Sequence, residues 1–200
     1  MLAAGAAASG DRDGLGLGLL AAGALAAWAA SGRRSPLALG VPYVGLAGIA
    51  LVWLRGGEGH AGRANVLFLV LLVWASDMGA YAAGRLVGGP KLAPRVSPSK
   101  TWAGALGGLL AAALVGCLVA ALVGEGGAGR AALVAAGLGA ACQAGDLLES
   151  WAKRRFGVKD SGRLIPGHGG LLDRLDGLLA AAPLAALIGT TLGQGRLLWT

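Results

Sequence analysis

The chain has 200 residues, of which 56% are apolar and 14% are charged, against about 25% charged residues in an ordinary soluble domain. So few polar residues cannot cover a globule in water, and the apolar residues come in long blocks, which excludes an ordinary soluble domain and indicates a membrane protein. The net charge of +7 falls in short segments between these blocks, which favours membrane topology and anionic ligands over nucleic-acid binding.

Six apolar segments follow one another along the chain, and most approach the length of about 20 residues that a spanning helix needs. They are residues 15–30, 37–54, 64–84, 102–123, 131–148 and 171–192. We therefore predict an all-α integral membrane protein with about six transmembrane helices. The 38 glycines favour close packing of helix backbones in lipid. Cys117 and Cys142 lie within apolar blocks and are interpreted as small buried hydrophobic residues.

The charges of the loops predict the orientation of the chain. Eleven Lys and Arg residues lie in the loops after the first, third and fifth segments, and five lie on the other side. Because cytoplasmic loops carry the excess of positive charge, we expect the first group of loops in the cytoplasm and both termini on the opposite side. The predicted location is the inner (cytoplasmic) membrane, crossed several times, with the functional site facing the cytoplasm.

Six of the ten acidic residues converge on that same side, and acids at membrane depth mark a functional site by default. Two groups of polar residues have the spacing of one helix face each, i, i+3, i+4, i+7 and i, i+3. The groups are Asp146, Glu149, Ser150 and Lys153, and Asp173 and Asp176. Where two such faces meet, carboxylate oxygens could hold Mg²⁺. A solvated, positive-inside loop would account for the basic residues but not for the acids beside them.

Basic residues and glycines beside these acids suit a polyphosphate. The basic residues are Lys153, Arg154, Lys159, Arg163 and Arg174. The turn at residues 167–170, Gly-His-Gly-Gly, would let backbone N–H groups approach an anion just before a helix. His168 is open to two interpretations, a turn scaffold or a ligand contact.

Upstream, Asp77 precedes the run Ser97-Pro98-Ser99-Lys100-Thr101. This run offers hydroxyl groups and a cation just before a helix, although a helix cap is the alternative reading.

The stretch from Ser150 to Asp176 resembles the signature of the phosphatidate cytidylyltransferase family, also called CDP-diacylglycerol synthases. The matching residues are Ser150, Lys153, Arg154, Lys159, Asp160, His168, Gly169, Gly170, Asp173, Arg174 and Asp176. Residues 145–149, the Trp74, Asp77 and Tyr81 pattern and the Ser97–Thr101 run also look like family elements. Ala103 stands where members often carry a glutamate, and the chain is shorter than most members.

The resemblance implies a metal-dependent nucleotidyltransferase of phospholipid biosynthesis that converts CTP and phosphatidic acid into CDP-diacylglycerol and pyrophosphate. It also implies Mg²⁺ and K⁺ in a paired site, with Asp146 and Asp173 as principal ligands and Ser150 and Asp176 close by. The expected catalytic residues are Asp146, Lys153, Asp173 and Asp176. The expected substrate-binding residues are Ser97, Lys100, Thr101, Arg154, Lys159, His168, Gly169, Gly170 and Arg174. On this resemblance phosphatidic acid is expected to enter sideways from the inner leaflet, and Lys100 is expected to meet its phosphate.

On this interpretation residues 1–63 form N-terminal membrane helices and residues 64–200 form the cytidylyltransferase domain. The expected partners are CTP, phosphatidic acid and membrane lipids, with no nucleic acid and with a homodimer left open. Two alternatives remain: a CTP-dependent transferase acting on another lipid, and a non-catalytic membrane scaffold or transporter.

Overall fold

Six helices and one β-hairpin make up the described part of the chain in the computed structural model. The described residues are 12–30, 39–56, 60–158, 172–191 and 197–200, and of residues 12–17 and 19 only the backbone is described. The elements are α1 (Arg12–Ala30), α2 (Gly40–Arg55), α3 (Ala61–Leu86), β1 (Lys91–Ala93), β2 (Ser97–Thr101), α4 (Trp102–Val123), α5 (Ala128–Arg155) and α6 (Leu172–Thr191).

Three of these helices, α3, α4 and α5, are long and apolar enough to cross a membrane. Helix α2 and the second half of α1 are shorter apolar helices, and the 20-residue α6 begins with acidic Asp173 in its first turn. The prediction of a mostly helical chain is confirmed, and several of its helices have the length and composition of membrane spans. The number of six spans stays a prediction.

The expectation of an all-α chain needs one correction, because a two-stranded antiparallel sheet lies between α3 and α4. Lys91 pairs with Thr101 and Ala93 pairs with Ser97, with an irregularity between the two pairs. Prolines at positions 90, 94 and 98 exclude a helix here, because proline lacks an N–H group and restricts the residue before it to extended conformations. The short hairpin brings the Ser97–Thr101 run back over the end of α3.

Helices α3 and α4 pack with their backbones almost in contact, through small residues. A Cβ atom on Gly79 would lie 2.7 Å from the Gly107 carbonyl oxygen, one on Gly104 would lie 2.8 Å from that of Ala80, and one on Gly108 would lie 2.7 Å from that of Ser76. Any side chain at these glycines would force the helices apart. The glycine-rich composition therefore serves close helix packing, as the sequence predicts.

The bundle continues from α4 to α5, from α5 to α6, and from α6 to α2. At the end of the bundle where α3 begins, Trp199 is fully buried, stacks at 4.5 Å on Phe68 and donates its indole N–H to the Glu125 carbonyl oxygen at 2.9 Å. Leu198 N donates to Asn65 Oδ1 at 3.0 Å. This end is closed by apolar side chains, whereas the hairpin end carries the ionised groups described next.

Candidate active site

A cavity of about 420 Å³ opens where the hairpin meets α3, α4 and α5. The walls of this cavity come from α3, the hairpin, the start of α4 and the middle of α5. The lining residues are Asp77, Ala80, Tyr81, Gly84, Arg85, Leu92, Ser99, Lys100, Thr101, Gly104, Ala105, Gln143 and Asp146. Carboxylates, cations, hydroxyls and an amide thus share one space at the end of otherwise apolar helices, which suits a ligand rich in phosphate.

The first ionic group in this cavity is an ion pair between Lys100 Nζ and Asp146 Oδ2, called the cavity pair below. The side chains are 25% and 34% exposed, respectively. Thr101 fixes the position of its neighbour Lys100, because its buried Oγ1 accepts a hydrogen bond of 3.1 Å from Gly104 N and caps α4. Ser150 Oγ donates to Asp146 Oδ1 at 3.4 Å one turn further along α5. The pair therefore joins the hairpin to α5 and remains open to a ligand.

The second ionic group lies between α5 and α6 and is called the interhelix cluster, made of Glu149, Lys153 and Asp173. Lys153 Nζ donates to Asp173 Oδ1 at 2.8 Å and lies 3.3 Å from Glu149 Oε1. The side chains of Lys153, Glu149 and Asp173 are 18%, 6% and 14% exposed. Neither carboxylate oxygen of Glu149 has a hydrogen-bond partner, so its contact with Lys153 is an ion pair without hydrogen-bond geometry.

Asp176 lies close enough to an acid of each group to interact with it electrostatically. Asp176 repels the carboxylates of Asp77, Asp146 and Glu149. Asp176 itself accepts a hydrogen bond from Gly177 N at 2.7 Å, and its backbone carbonyl oxygen accepts one from the Tyr43 hydroxyl at 3.3 Å. Within the described residues, no three His, Cys, Asp or Glu side chains come together in a group that could hold a metal ion.

The structure places most of the predicted site residues at one end of the bundle but separates them. Lys100, Thr101 and Asp146 line the cavity, whereas Lys153 and Asp173 form the interhelix cluster. Arg154 and Arg174 are exposed on the same side, and Asp176 is half-buried on α6. Ser97 is buried in β2 and does not line the cavity. The predictions for Lys159, His168, Gly169 and Gly170 lie outside the described residues, as do Asp160 and Arg163.

Five polar residues of the cavity wall were absent from the predicted catalytic and substrate-binding residues: Asp77, Tyr81, Arg85, Ser99 and Gln143. Of these, Asp77, Tyr81 and Ser99 lie in segments that the sequence analysis singled out, whereas Arg85 and Gln143 do not. Gln143 Nε2 donates to the Ala105 carbonyl oxygen at 3.1 Å and to Ser76 Oγ at 3.4 Å, so its amide ties three helices together. A polar side chain within an apolar helix was a signal for Gln143. Arg85 lies one helical turn after Tyr81, and this position beside another polar side chain of the same helix could have identified it as a site residue.

A multi-pass membrane protein with lysine-paired carboxylates around a cavity at one end of its helices is suited to anionic ligands. The model of the cytidylyltransferase family matches residues 19–192, and the chain belongs to this family.

Several relatives carry a more specific name. The phosphatidate cytidylyltransferase of Brucella suis is 50% identical over 164 residues, which are 82% of this chain and 60% of that protein. The phosphatidate cytidylyltransferase of Pseudomonas aeruginosa is 51% identical over 135 residues, 65% of this chain and 49% of that protein. That of Haemophilus influenzae is 46% identical over 123 residues, 59% of this chain and 43% of that protein. The chain thus matches 60% or less of the length of these relatives.

Proposed function

We propose that the chain is the catalytic part of a phosphatidate cytidylyltransferase, which makes CDP-diacylglycerol and pyrophosphate from CTP and phosphatidic acid. The observation that carries the proposal is the cavity pair, where Lys100 and Asp146 face a cavity at the end of the membrane helices. The names of the relatives and the family membership support the choice of reaction.

The reaction requires two anions to meet. An oxygen of the phosphatidate phosphate attacks the α-phosphorus of CTP, a new P–O bond forms, and the bond to the β-phosphate bridging oxygen breaks. Pyrophosphate leaves with the electron pair. The attacking oxygen is already negatively charged, so no side chain has to remove a proton from it. Catalysis therefore consists of positioning and of charge compensation, which the ammonium groups of Lys100 and Lys153 can supply by turning from their carboxylates to phosphate oxygens.

The donor types at this end of the bundle suit Mg²⁺, which is usually held by one or two carboxylates together with substrate phosphates, so the lack of a three-residue group among the described residues does not conflict with this ion. The donors are carboxylates, which Mg²⁺ prefers, and both oxygens of the buried Glu149 lack a hydrogen-bond partner. Asp146 and Asp173 would hold the ion, with Ser150 and Asp176 beside them and K⁺ as a neighbouring ion. When bound, Mg²⁺ compensates negative charge on the triphosphate. In its absence Lys100 and Lys153 are the cations paired with these two aspartates.

We further propose that this end of the bundle faces the cytoplasm and that the membrane is the inner membrane. The bias of eleven to five in the loop Lys and Arg residues supports this orientation,. Single cysteines introduced at Arg95 and Arg155, with Cys117 and Cys142 replaced, should react with an impermeant maleimide only after the inner face is exposed. Labelling from outside intact spheroplasts would reverse the assignment.

The activity is tested with purified protein in detergent by measuring pyrophosphate release. We expect release from CTP only when phosphatidic acid and Mg²⁺ are both present, and little release when ATP or GTP replaces CTP. Acceptance of a polyprenyl phosphate or an archaeal-type lipid in place of phosphatidic acid would identify a different CTP-dependent lipid enzyme. No release with any acceptor, from protein that is monodisperse and helical, would leave the scaffold or transporter interpretation.

A further inference from the structure

Arg85 is a cation of the cavity wall to which the reaction described above gives no role. It lies in the last turn of α3 and lines the cavity. Its Nη1 donates a hydrogen bond of 3.0 Å to the hydroxyl of Tyr81, one helical turn earlier. Lys100 is paired with Asp146, whereas in the described part of the chain no carboxylate lies within ion-pair distance of Arg85. Its guanidinium is therefore the cavity cation that is available to an anionic ligand.

Arg85 also ends a stripe of exposed side chains on α3, made of Trp74, Met78, Tyr81 and Arg85. The spacing is i, i+4, i+7 and i+11, which places the four residues on one face of the helix. Trp74, Met78 and Tyr81 are all exposed, and Tyr81 also lines the cavity, so in a bilayer Trp74 and Met78 would face lipid. The stripe is apolar over the two helical turns from Trp74 to Tyr81 and becomes cationic where it reaches the cavity.

We propose that Arg85, held in place by Tyr81, binds the phosphate monoester headgroup of the lipid substrate while the acyl chains lie along this stripe. This inference rests on the proposed function. A guanidinium group can bind two phosphate oxygens at once, in a fixed geometry. A lysine or arginine at a helix end can also merely extend to the membrane surface. Arg85 differs from that case because its side chain lines the cavity and is oriented by a second side chain.

The role expected of Lys100 is changed by this assignment. The sequence predicts Lys100 as the cation for the lipid phosphate, but its ammonium group is paired with Asp146. We then expect Lys100 to compensate charge on the triphosphate and Arg85 to bind the phosphate of the lipid.

The test compares two arginines on the same side of the membrane. Arg85→Gln removes the proposed headgroup contact, and Arg95→Gln removes an equal charge from the exposed turn of the hairpin, outside the cavity wall. In mixed micelles with phosphatidic acid varied as surface fraction, we expect Arg85→Gln to raise the apparent KM for phosphatidic acid about tenfold or more. Its KM for CTP should stay within about twofold of the unmodified protein. Tyr81→Phe should change the lipid KM in the same direction, by less.

Direct binding separates failure of this inference from failure of the proposed function. Purified protein is titrated in detergent with dioctanoyl phosphatidic acid, with dioctanoyl phosphatidylcholine and with CTP, and binding is followed by native mass spectrometry. If Arg85→Gln weakens the binding of phosphatidic acid but not that of CTP or phosphatidylcholine, the inference is supported even if no pyrophosphate is released. Unchanged lipid binding in Arg85→Gln overturns it. An equal or larger loss of CTP binding also overturns it and assigns Arg85 to the nucleotide phosphates.

Discussion

The cavity pair and the interhelix cluster contain the same types of side chain, lysine and carboxylate, in different surroundings. In both, a lysine meets an aspartate of the predicted metal site. Lys100 and Asp146 are a quarter to a third exposed and line a cavity. Lys153 lies between two helices with Asp173 and the buried Glu149, whose oxygens lack hydrogen-bond partners. Burial, rather than residue type, distinguishes a pair that opens to the cavity from a cluster that also holds two helices together.

The difference has an energetic side. An exposed ion pair contributes about 0 to 1 kcal/mol, because water screens it and solvates either partner when the other is lost. Removal of one partner from a buried pair is much more costly, since it leaves an uncompensated charge. Changes in the cavity pair should therefore affect turnover first, and changes in the interhelix cluster should affect stability as well as turnover.

The largest effect is expected for Asp146→Asn, which removes a carboxylate that faces the cavity. Turnover should fall more than about a hundredfold, because a lost metal ligand costs several kcal/mol of transition-state stabilisation. The apparent melting temperature in detergent should change little, because Asp146 is a third exposed. Pyrophosphate release and thermal unfolding are measured on the same preparation. The matched control is Glu125→Gln, an acid at the opposite end of the bundle, which should keep near-normal turnover.

A residual turnover above about a tenth in Asp146→Asn at saturating Mg²⁺, equal to a loss below ~1.4 kcal/mol, would show that this carboxylate is not a ligand. A large drop in melting temperature would instead show that the cavity pair is a structural contact like the interhelix cluster.

The next effect compares the two lysines by stability. We expect Lys153→Met to lower the free energy of unfolding by about 3 kcal/mol, because the half-buried Asp173 and the buried Glu149 lose their shared cation. Lys100→Met should lower it by about 1 kcal/mol or less. Both are measured by unfolding in mixed detergent micelles, with helix content from circular dichroism as the readout. Equal losses in the two variants would contradict the contrast drawn from burial.

A smaller effect is the coupling within the interhelix cluster. Glu149→Gln removes the buried charge that has no hydrogen bond, so the double variant with Lys153→Met should recover about 1 kcal/mol or more of the stability lost in Lys153→Met. The corresponding double variant of the cavity pair, Lys100→Met with Asp146→Asn, should show a coupling of about 0.5 kcal/mol or less. Additive changes in both pairs would mean that Lys153 and Glu149 do not interact across their 3.3 Å contact.

Some helix ends follow directly from local sequence, and others do not. The predicted segment from Trp102 to Val123 has the bounds of α4, because Thr101 caps its start and Gly124, at φ +73°, ends it in the left-handed conformation,. The fifth segment was expected to end at residue 148, where the apolar block ends. Helix α5 instead continues to Arg155, because a helix can extend beyond the apolar block into the charged residues that follow it. The basic residues of its last turn stabilise this extension by interacting with the negative end of the helix dipole.

The site was predictable as a set of residue types and less so as an arrangement. The i, i+4 relation of Asp146 to Ser150 is local, and the structure confirms that these side chains meet. The contact of Lys100 with Asp146 depends on the packing of α4 on α5 and on the hairpin, which no spacing along the chain reveals. For the same reason the sequence could not decide which serine of the Ser97–Thr101 strand faces the cavity.

The smallest expected effect concerns that choice of serine, next to the cavity pair. Ser99 lines the cavity beside Lys100, whereas Ser97 is buried in β2. The second half of β2 borders the cavity and its first residue does not. If Lys100 binds the triphosphate, Ser99→Ala should remove one neutral hydrogen bond and raise the KM for CTP about threefold. Ser97→Ala should leave that KM unchanged, because Ser97 does not line the cavity, and should alter the free energy of unfolding by about 1 kcal/mol or less. Steady-state kinetics with CTP varied at saturating phosphatidic acid, together with unfolding of both variants, separates them. A raised KM in Ser97→Ala with normal kinetics in Ser99→Ala would place the substrate on the other side of the hairpin, away from the cavity pair.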